Sequence, residues 1–96
     1  MLFRSGNLLF FEDEMEATIQ RGMADHAADA CKGISGVFCQ TENGYRYVCV
    51  SRYIALRTLG KQMNERFGGR GGGTDAIIQG TLNATREQIE AFFAEI

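Results

Sequence analysis

The sequence predicts a two-layer α+β domain, in which a mixed sheet of about four strands is packed by two to three helices in the order β-α-β-β-α-β-α. Apolar runs of strand length alternate with stretches in which apolar residues recur every three or four positions. An Asn-Gly pair divides two strand-like segments, as in an antiparallel hairpin. Helical crossovers on either side of this hairpin place the helices mainly on one face. The 96 residues suffice for one domain and not for two, so we expect a single domain over residues 1–96.

The composition is that of a globular protein. Hydrophobic residues make up 45% and charged residues 23%, which is unlike a disordered chain. No apolar run approaches the roughly 20 residues that span a bilayer, so we expect no membrane contact. The odd number of cysteines favours reduced thiols and hence a cytoplasmic location. The net charge of −2 means that binding to a nucleic acid requires a local basic patch.

The cysteines and the one histidine form no recognisable metal or disulfide pattern. Cys31, Cys39 and Cys49 are odd in number and have no CxxC spacing, which disfavours a disulfide framework and a structural zinc site. Buried, reduced thiols are the simpler interpretation. For His26, a solvated helix face is favoured over a role as a metal ligand. We therefore expect neither a metal nor a cofactor in this chain.

The first strand and the first helix follow from patterns near the N-terminus. Residues Leu8–Phe11 form an apolar run that ends in acids, as in an internal strand. Asp13 is placed to cap the next helix, which we expect to extend to about Lys32, before the glycines that stop it. Its apolar residues recur at helical spacing: Met15, Ile19, Met23, Ala27 and Ala30.

The hairpin is expected to turn at Asn43-Gly44, because a type I′ turn requires positive φ at both central residues. This turn sets the register of strands two and three and places Phe38 opposite Cys49. Tyr45 and Tyr47 then share one face of the sheet. Cross-strand packing of these tyrosines is favoured over stacking on RNA bases, and both interpretations stay open.

A second helix, a fourth strand over Ala76–Leu82 and a third helix complete the pattern. Thr85 and Gln88, three residues apart, fit a capping box at the start of helix three. The apolar stripe of helix two comprises Leu56, Leu59, Met63 and Phe67, and that of helix three comprises Ile89, Phe92, Phe93 and Ile96.

Five glycines surround one arginine between helix two and the fourth strand. Glycine reaches positive φ and lets bare backbone N–H groups approach an anionic or crowded partner, while Arg70 adds a planar cation for phosphate or carboxylate. Turns and linkers also use glycine, but this segment lies inside one fold, so we expect a loop at residues 68–73 to be the working surface. The glycines are Gly68, Gly69, Gly71, Gly72 and Gly73.

Lys61 and Asn64 of helix two are three residues apart and so lie on one face near its C-terminal end. They are placed either to join Arg70 in a small basic surface or to form a plain solvated face, and the sequence supports both equally.

The chain shows no catalytic machinery of its own. It has one histidine, no GxSxG motif and no Gly-Lys-Ser/Thr ending of a phosphate-binding Walker loop. The placement of its acidic residues is typical of helix termini and of a protein surface, and does not indicate a paired-carboxylate site. We expect no catalytic residue.

Three segments resemble the C-terminal domain of alanyl-tRNA editing proteins. They are GNLLFFE at Gly6–Glu12, GYRYV at Gly44–Val48 and GKQMNERFGGRGGGTDAIIQG at Gly60–Gly80. This domain is shared with the C-terminus of alanyl-tRNA synthetase and is related to the DHH-associated domain of phosphoesterases. The resemblance covers nearly the whole chain, and its most specific part is GGRGGG followed by Gln79-Gly80.

The resemblance implies a tRNA-binding module without an active site. In such editing proteins a separate domain uses zinc to hydrolyse a wrong amino acid from alanine tRNA, and its ligand motifs are not in this sequence. Partners implied by the resemblance are alanine tRNA and, in some members, a second subunit. The matching positions would approach RNA or, for the last two, fix the far end of the loop: Gly68, Gly69, Arg70, Gly71, Gly72, Gly73, Gln79 and Gly80.

The clearest departure from the family pattern is Thr74-Asp75, where members often carry a basic or small residue followed by proline. The chain has no proline, and Asp75 adds a negative charge, which counts against strong phosphate binding but not against the fold. Two other functions stay open. One is a dimerisation module whose glycines let a partner's backbone pack closely, and the other is a substrate clamp for a DHH-type phosphoesterase domain on a separate chain.

Overall fold

One mixed sheet organises the chain. The structure, a computed structural model, describes residues 6–95. Its elements are β1 (Leu8–Glu12), α1 (Ala17–Ala28), β2 (Ile34–Thr41), β3 (Gly44–Ser51), α2 (Leu56–Phe67), β4 (Arg70–Gly73), β5 (Ile77–Leu82) and α3 (Arg86–Ala94). The five strands lie in the order β1-β2-β3-β5-β4, with β1 and β2 parallel and all other neighbours antiparallel. The predicted α+β class with a mixed sheet is confirmed.

Side chains of the strands alternate between the two faces of the sheet, and each face has its own core. The larger core joins Phe38 and Tyr47 to residues of α2 and α3, whereas the smaller core joins Val37 and Val48 to Ala24 of α1. Helices α2 and α3 therefore lie on one face, whereas the two helices that flank the hairpin, α1 and α2, lie on opposite faces instead of the same one as expected. The predicted two layers become three, because α1 packs over β2 and β3 on the opposite face.

The apolar stripes predicted for helices two and three are buried, except that Ile96 lies outside the described residues. The predicted capping box is also present. Thr85 Oγ1 accepts a hydrogen bond from the Gln88 N–H at 3.2 Å, and the Thr85 N–H donates to Gln88 Oε1 at 2.9 Å. Both reciprocal bonds satisfy N–H groups that the first turn of a helix leaves without a partner.

The first helix is shorter than predicted. It covers Ala17–Ala28 instead of extending to about Lys32, and Glu16 rather than Asp13 is its N-cap, without a side-chain hydrogen bond. Its last turn tightens, because the Asp29 N–H donates to a carbonyl three residues back. The helix thus ends before the glycines that were expected to stop it.

The buried face of α1 is centred on a polar residue that the apolar spacing did not indicate. Ile19 is 58% exposed, whereas the neighbouring Gln20 is fully buried. Gln20 Nε2 donates to the carbonyl oxygens of Val37 and Arg46, both at 2.9 Å. These bonds tie α1 to both central strands and offset the cost of burying the amide.

The hairpin forms at the predicted place, but with a different turn and register. Thr41 pairs with Gly44 around the two residues between them, and Phe38 lies opposite Tyr47 rather than Cys49. No residue other than glycine among residues 6–95 has positive φ, so Asn43 is not in the conformation of a type I′ turn. Gly44 instead serves a close contact, since a Cβ there would lie 2.0 Å from a β5 carbonyl oxygen.

The segment predicted as a loop at residues 68–73 is a helix cap followed by a strand. Gly68 ends α2 in the left-handed conformation, with φ 63°. Arg70–Gly73 then form β4, which pairs with β5 along its whole length. The prediction of a loop is therefore wrong for these four residues, because the outer edge of β5 offers their backbone a hydrogen-bonding partner.

The three cysteines are free and buried. Burial raises the pKa of the Cys49 thiol to about 12, and it also raises the pKa of Cys39 against the opposing effect of Arg46. These thiols are packing residues rather than nucleophiles. Within residues 6–95, no helix is both long and apolar enough to cross a membrane.

Candidate nucleic-acid interface

The strands β4 and β5 form a two-stranded edge of the sheet, which we call the glycine ribbon (Arg70–Leu82). The Thr74 N–H donates to the Ile77 carbonyl at 2.8 Å. Because hydrogen-bonded pairs alternate along an antiparallel ladder, the backbone N–H and C=O groups of Gly71 and Gly73 point away from β5. In the sheet as described, β4 is an outermost strand, so these groups face the open edge.

Glycine is required inside the ribbon because its two strands lie close to each other and to Tyr47. A Cβ on Gly71 would lie 2.3 Å from the Gln79 carbonyl oxygen and 2.6 Å from the Tyr47 hydroxyl. A Cβ on Gly80, the register partner of Gly71, would lie 2.0 Å from the Arg70 carbonyl oxygen. Gly72 is different, since a Cβ there would meet nothing within 4 Å.

One face of the ribbon borders α2 and forms a concavity of about 300 Å³, the α2-side groove. Arg57 and Lys61 of α2 are exposed on one wall, and the outward backbone of β4 forms the other. Glu65 is the acid that lines it. Cations beside free N–H groups provide donors suited to a phosphate or another oxygen-rich anion.

The floor of this groove carries an oriented amide. The Tyr47 hydroxyl donates to Asn64 Oδ1 at 3.2 Å, so the Asn64 NH₂ group is turned toward other acceptors. Tyr47 is fully buried, and this burial raises the pKa of its hydroxyl while the bond to Asn64 lowers it. The hydroxyl therefore stays a proton donor at neutral pH. Tyr47 is a packing residue, which confirms the favoured interpretation over base stacking.

The other face of the ribbon is not covered by α1, and the space between them is a cleft of about 360 Å³, the α1-side cleft. Arg21 of α1 reaches across it and donates from Nη2 to Gln79 Oε1 at 2.8 Å. Both side chains are exposed. Next to them, Thr81 lies between Arg46 of β3 and Arg70 of β4 in one cross-strand row.

Arg46 closes one end of the α1-side cleft and is held in place by α1. Its Nε donates to Gln20 Oε1 at 2.8 Å, and Nη2 donates to the Met15 carbonyl oxygen. The concavity on the far side of Arg46 is lined by acids of the β1–α1 connection and of the hairpin. Arg46 is thus mainly a structural residue at the border between a basic and an acidic surface.

The described cations divide into two groups. Three of the four away from the ribbon have carboxylate partners, because Arg52 pairs with Asp25 and Asp29, Arg66 with Glu95 and Arg86 with Glu90, whereas Lys32 has none among the described residues. Around the ribbon, no carboxylate oxygen of residues 6–95 lies within 4.0 Å of a cationic nitrogen. The paired set comprises Arg52, Arg66 and Arg86, and the unpaired set around the ribbon comprises Arg21, Arg46, Arg57, Lys61 and Arg70. A chain with net negative charge therefore has most of the unneutralised positive charge of residues 6–95 at this edge.

The structure brings some of the predicted site residues together and separates others. Lys61 and Asn64 both line the α2-side groove, beside Gly71, Gly72 and Gly73. Arg70 does not join them, because its register partner Thr81 shares a face with Arg46 on the α1 side. The single basic surface that was one of two alternatives is thus divided between two faces of the ribbon.

The remaining predicted residues lie at the ends and middle of the ribbon. Gly68 is exposed at the end of α2, and Gly69 donates its N–H to the Asn64 carbonyl oxygen at 2.8 Å. Gln79 faces the α1-side cleft, and Gly80 pairs with Gly71. Contact of any of these residues with RNA stays a prediction.

Arg21 was missed by sequence reasoning. It lies 58 residues from Gln79 in sequence, and on its own helix it is one exposed cation among several polar residues. No local pattern signals a contact between a helix surface and a strand that far apart. Arg46, which lies between Tyr45 and Tyr47, was not a predicted site residue either.

His26 is exposed on α1, and no group of three or more His, Cys, Asp or Glu side chains in the described part of the chain is placed to hold a metal ion. The acidic side chains near the ribbon, Glu65 and Asp75, are exposed at the surface. The donors at this edge are therefore arginine, lysine, amide and backbone N–H groups, which favour an anionic ligand rather than a cation.

Comparison with known proteins identifies the fold. No protein-family model matches the chain, and no curated protein matches it. The C-Ala domain of alanyl-tRNA synthetase from Aquifex aeolicus superposes with a TM-score of 0.72 over 92% of this chain and 90% of that domain, at 15% sequence identity. At this identity the likeness shows the fold alone. The resemblance noted in the sequence is confirmed at that level: the chain has the fold of an alanyl-tRNA synthetase C-Ala domain.

Proposed function

We propose that this chain is a non-catalytic tRNA-binding module of an alanyl-tRNA synthetase or of an alanyl-tRNA editing protein. The parent protein would hydrolyse mischarged alanine tRNA through a separate zinc-dependent domain. The observation that carries the proposal is the unneutralised positive charge around an edge strand whose backbone N–H groups are free. The C-Ala fold and the GGRGGG segment support the choice of tRNA among polyanions.

Binding would depend mainly on phosphates. Arg70 and the exposed cations of the α2-side groove can each neutralise a phosphate and release its condensed counterions. The outward N–H groups of Gly71 and Gly73 add neutral hydrogen bonds that position the backbone without contributing to the salt dependence. Asp75 in the turn after β4 opposes this attraction, so we expect moderate affinity at low salt and steep weakening as salt rises.

The test is a salt series with alanine tRNA and an unrelated tRNA, using the wild type, Arg70→Ala and Arg52→Ala. Arg52→Ala is the matched control, since it makes the same change of charge at an exposed arginine away from the ribbon. The wild type should bind, and Arg70→Ala should reduce the slope of log K against log salt by about 0.7–0.9. Arg52→Ala should leave the slope unchanged.

Absence of binding, or binding that does not depend on salt, would overturn the proposal. A slope reduced equally by Arg70→Ala and Arg52→Ala would show a general charge effect rather than an interface at the ribbon. Preference for alanine tRNA over the unrelated tRNA tests the finer assignment to an alanyl-tRNA protein, because phosphate contacts alone carry no sequence information.

Pairing of two copies through β4 is a second candidate, because an edge strand with free N–H and C=O groups is a template for another strand. Light scattering across a concentration series tests it. A dimer that Gly72→Lys abolishes would support pairing through β4, since a lysine on an edge strand opposes pairing with another strand and a Cβ at Gly72 meets nothing within 4 Å in the monomer. A monomer at high concentration would exclude it.

A further inference from the structure

We propose that the α1-side cleft is a second phosphate-binding site, so that an RNA backbone is held on both faces of the glycine ribbon. This inference rests on the proposed tRNA-binding function and goes beyond it, because Arg21 and Gln79 lie on the opposite face from Lys61 and Asn64. The ligand is a phosphate oxyanion, whose source is an RNA backbone rather than a free ion.

The geometry of the cleft is already arranged for an anion. The hydrogen bond of 2.8 Å from Arg21 to Gln79 Oε1 uses one guanidinium nitrogen and turns the Gln79 NH₂ group away from Arg21. The remaining Arg21 donors, the Gln79 amide and the Thr81 hydroxyl then border the same space. Arginine presents its donors as a planar fork that matches two phosphate oxygens.

The charges that face this space are of one sign. Among the described residues, the lining of the α1-side cleft contains Arg21 and Arg46 and no acid. An adjoining concavity runs from Arg21 along β4 to Thr74, and its lining in the described part of the chain contains no acid either. Arg70 lies on the same face beside Thr81. Acids line two neighbouring concavities: Asp13, Glu14 and Glu42 lie on the far side of Arg46, and Glu65 lies on the opposite face of the ribbon. Because no carboxylate of residues 6–95 lies within 4.0 Å of Arg21, its charge is available to an anionic ligand.

The spacing suits a polynucleotide better than a single ion. Arg21 lines the cleft from α1, whereas Arg70 lies outside its lining, one strand beyond Thr81 on the same face of the sheet. Neighbouring strands of this row are spaced about 4.8 Å apart. Arg21 and Arg70 lie on one face of the ribbon, and Arg57 and Lys61 lie on the other face in the α2-side groove. Cations on both faces match a chain of successive phosphates that passes over the outer edge of β4. An isolated phosphate would engage Arg21 and Gln79 alone.

The experiment repeats the tRNA salt series with Arg21→Ala, Arg21→Lys and the double variant Arg21→Ala/Arg70→Ala, again with Arg52→Ala as the matched control. Arg21→Ala should reduce the salt slope by about 0.7–0.9, and the double variant by about twice that amount. Arg21→Lys should restore the slope but not the full affinity, because lysine keeps the charge and loses the bidentate geometry.

An Arg21→Ala slope equal to that of Arg52→Ala, with Arg70→Ala still effective, would overturn this inference and leave the proposed function standing. Tighter binding of polyglutamate than of RNA, dependent on Arg21, would also overturn it in favour of an acidic protein partner. Circular dichroism and urea unfolding should show that Arg21→Ala is folded, since Arg21 is exposed.

If no tRNA binds, the proposed function fails, and an NMR titration with inorganic phosphate still decides whether the cleft holds an anion. Saturable shifts of the Gln79 and Thr81 amide signals that disappear in Arg21→Ala would support the anion site with free phosphate as its source. Absence of such shifts would overturn the site.

Discussion

Two groups of strands in the sheet, β1 to β3 and the glycine ribbon, are stabilised in different ways. Strands β1, β2 and β3 lie between helices, with α1 on one face and α3 on the other. The large side chains of β2 and of the second half of β3 are almost completely buried, and those of β1 are buried or partly buried. The glycine ribbon packs mainly against α2, with Ile77 reaching the core under α1, and β4 has no large side chain except an exposed arginine. Side-chain packing therefore fixes the covered strands, whereas backbone contact fixes the ribbon.

This difference relates fold to function. Packed side chains resist change because every removed methylene group leaves a cavity, which suits a scaffold. A strand of glycines exposes its backbone and leaves cations free on both faces, which suits a binding surface. The scaffold determines where the ribbon lies, and the ribbon provides the donors.

The largest expected effect tests the covered strands. Phe38 is fully buried and lies 5.1 Å from the Phe11 ring and 5.9 Å from the Phe93 ring, measured between centroids. Phe38→Ala should lower the free energy of unfolding by about 3–5 kcal/mol, because it removes apolar burial and leaves a cavity. Urea unfolding measures this, with Tyr53→Ala as the control at a residue that is 69% exposed. Equal effects of the two variants would contradict the comparison.

A smaller effect tests the ribbon. Gly80→Ala should destabilise the protein by about 1–3 kcal/mol, because its Cβ would lie 2.0 Å from the Arg70 carbonyl oxygen and force β4 from β5. Gly72→Ala is the matched control, since its Cβ meets nothing within 4 Å, and should change stability by less than about 0.5 kcal/mol. Hydrogen exchange of the β4 amides should rise only in Gly80→Ala, and a rise in both variants would argue against close backbone contact.

The last prediction concerns the pH dependence of the free energy of unfolding that the buried Cys49 thiol contributes. Burial raises the pKa of Cys49 from 9.0 to about 12, so the folded state keeps a proton that the unfolded chain loses. This contribution to stability is complete below about pH 9 and is lost as pH rises from there toward 12, at about 1.4 kcal/mol per unit. Urea unfolding between pH 7 and 11 should show this decrease, and Cys49→Ala should reduce its steepness. An unchanged slope in Cys49→Ala would assign the decrease to other groups.

Sequence patterns predicted the scaffold well where side chains determine the structure. The stripes of α2 and α3 are buried and the Thr85–Gln88 capping box forms, because period and capping chemistry are local. The errors occur where a distant contact intervenes. Gln20 is buried in place of Ile19 because its amide donates to the carbonyl oxygens of two strands. Gly44 is the first residue of β3 instead of a turn residue, and its lack of a Cβ allows the close approach of β5.

The sequence likewise predicted some features of the candidate site and missed others. The sequence identified the glycines, Arg70, Lys61 and Asn64 as candidates from composition and helix spacing. It predicted neither that Arg70 faces the opposite side from Lys61 nor that Arg21 meets Gln79. Those facts depend on strand register and on the packing of α1, which involve residues far apart in the chain.

By itself, then, the sequence determined the α+β class, the stripes of α2 and α3, the buried thiols and the concentration of glycine beside an arginine, because each is a property of neighbouring residues. Only the tertiary structure decided the strand order, the third layer, the conversion of the expected loop into β4 and the division of the cations between two faces. The physical reason is that a strand becomes an edge strand, and a cation remains unpaired, only through the partners that the whole fold provides or withholds.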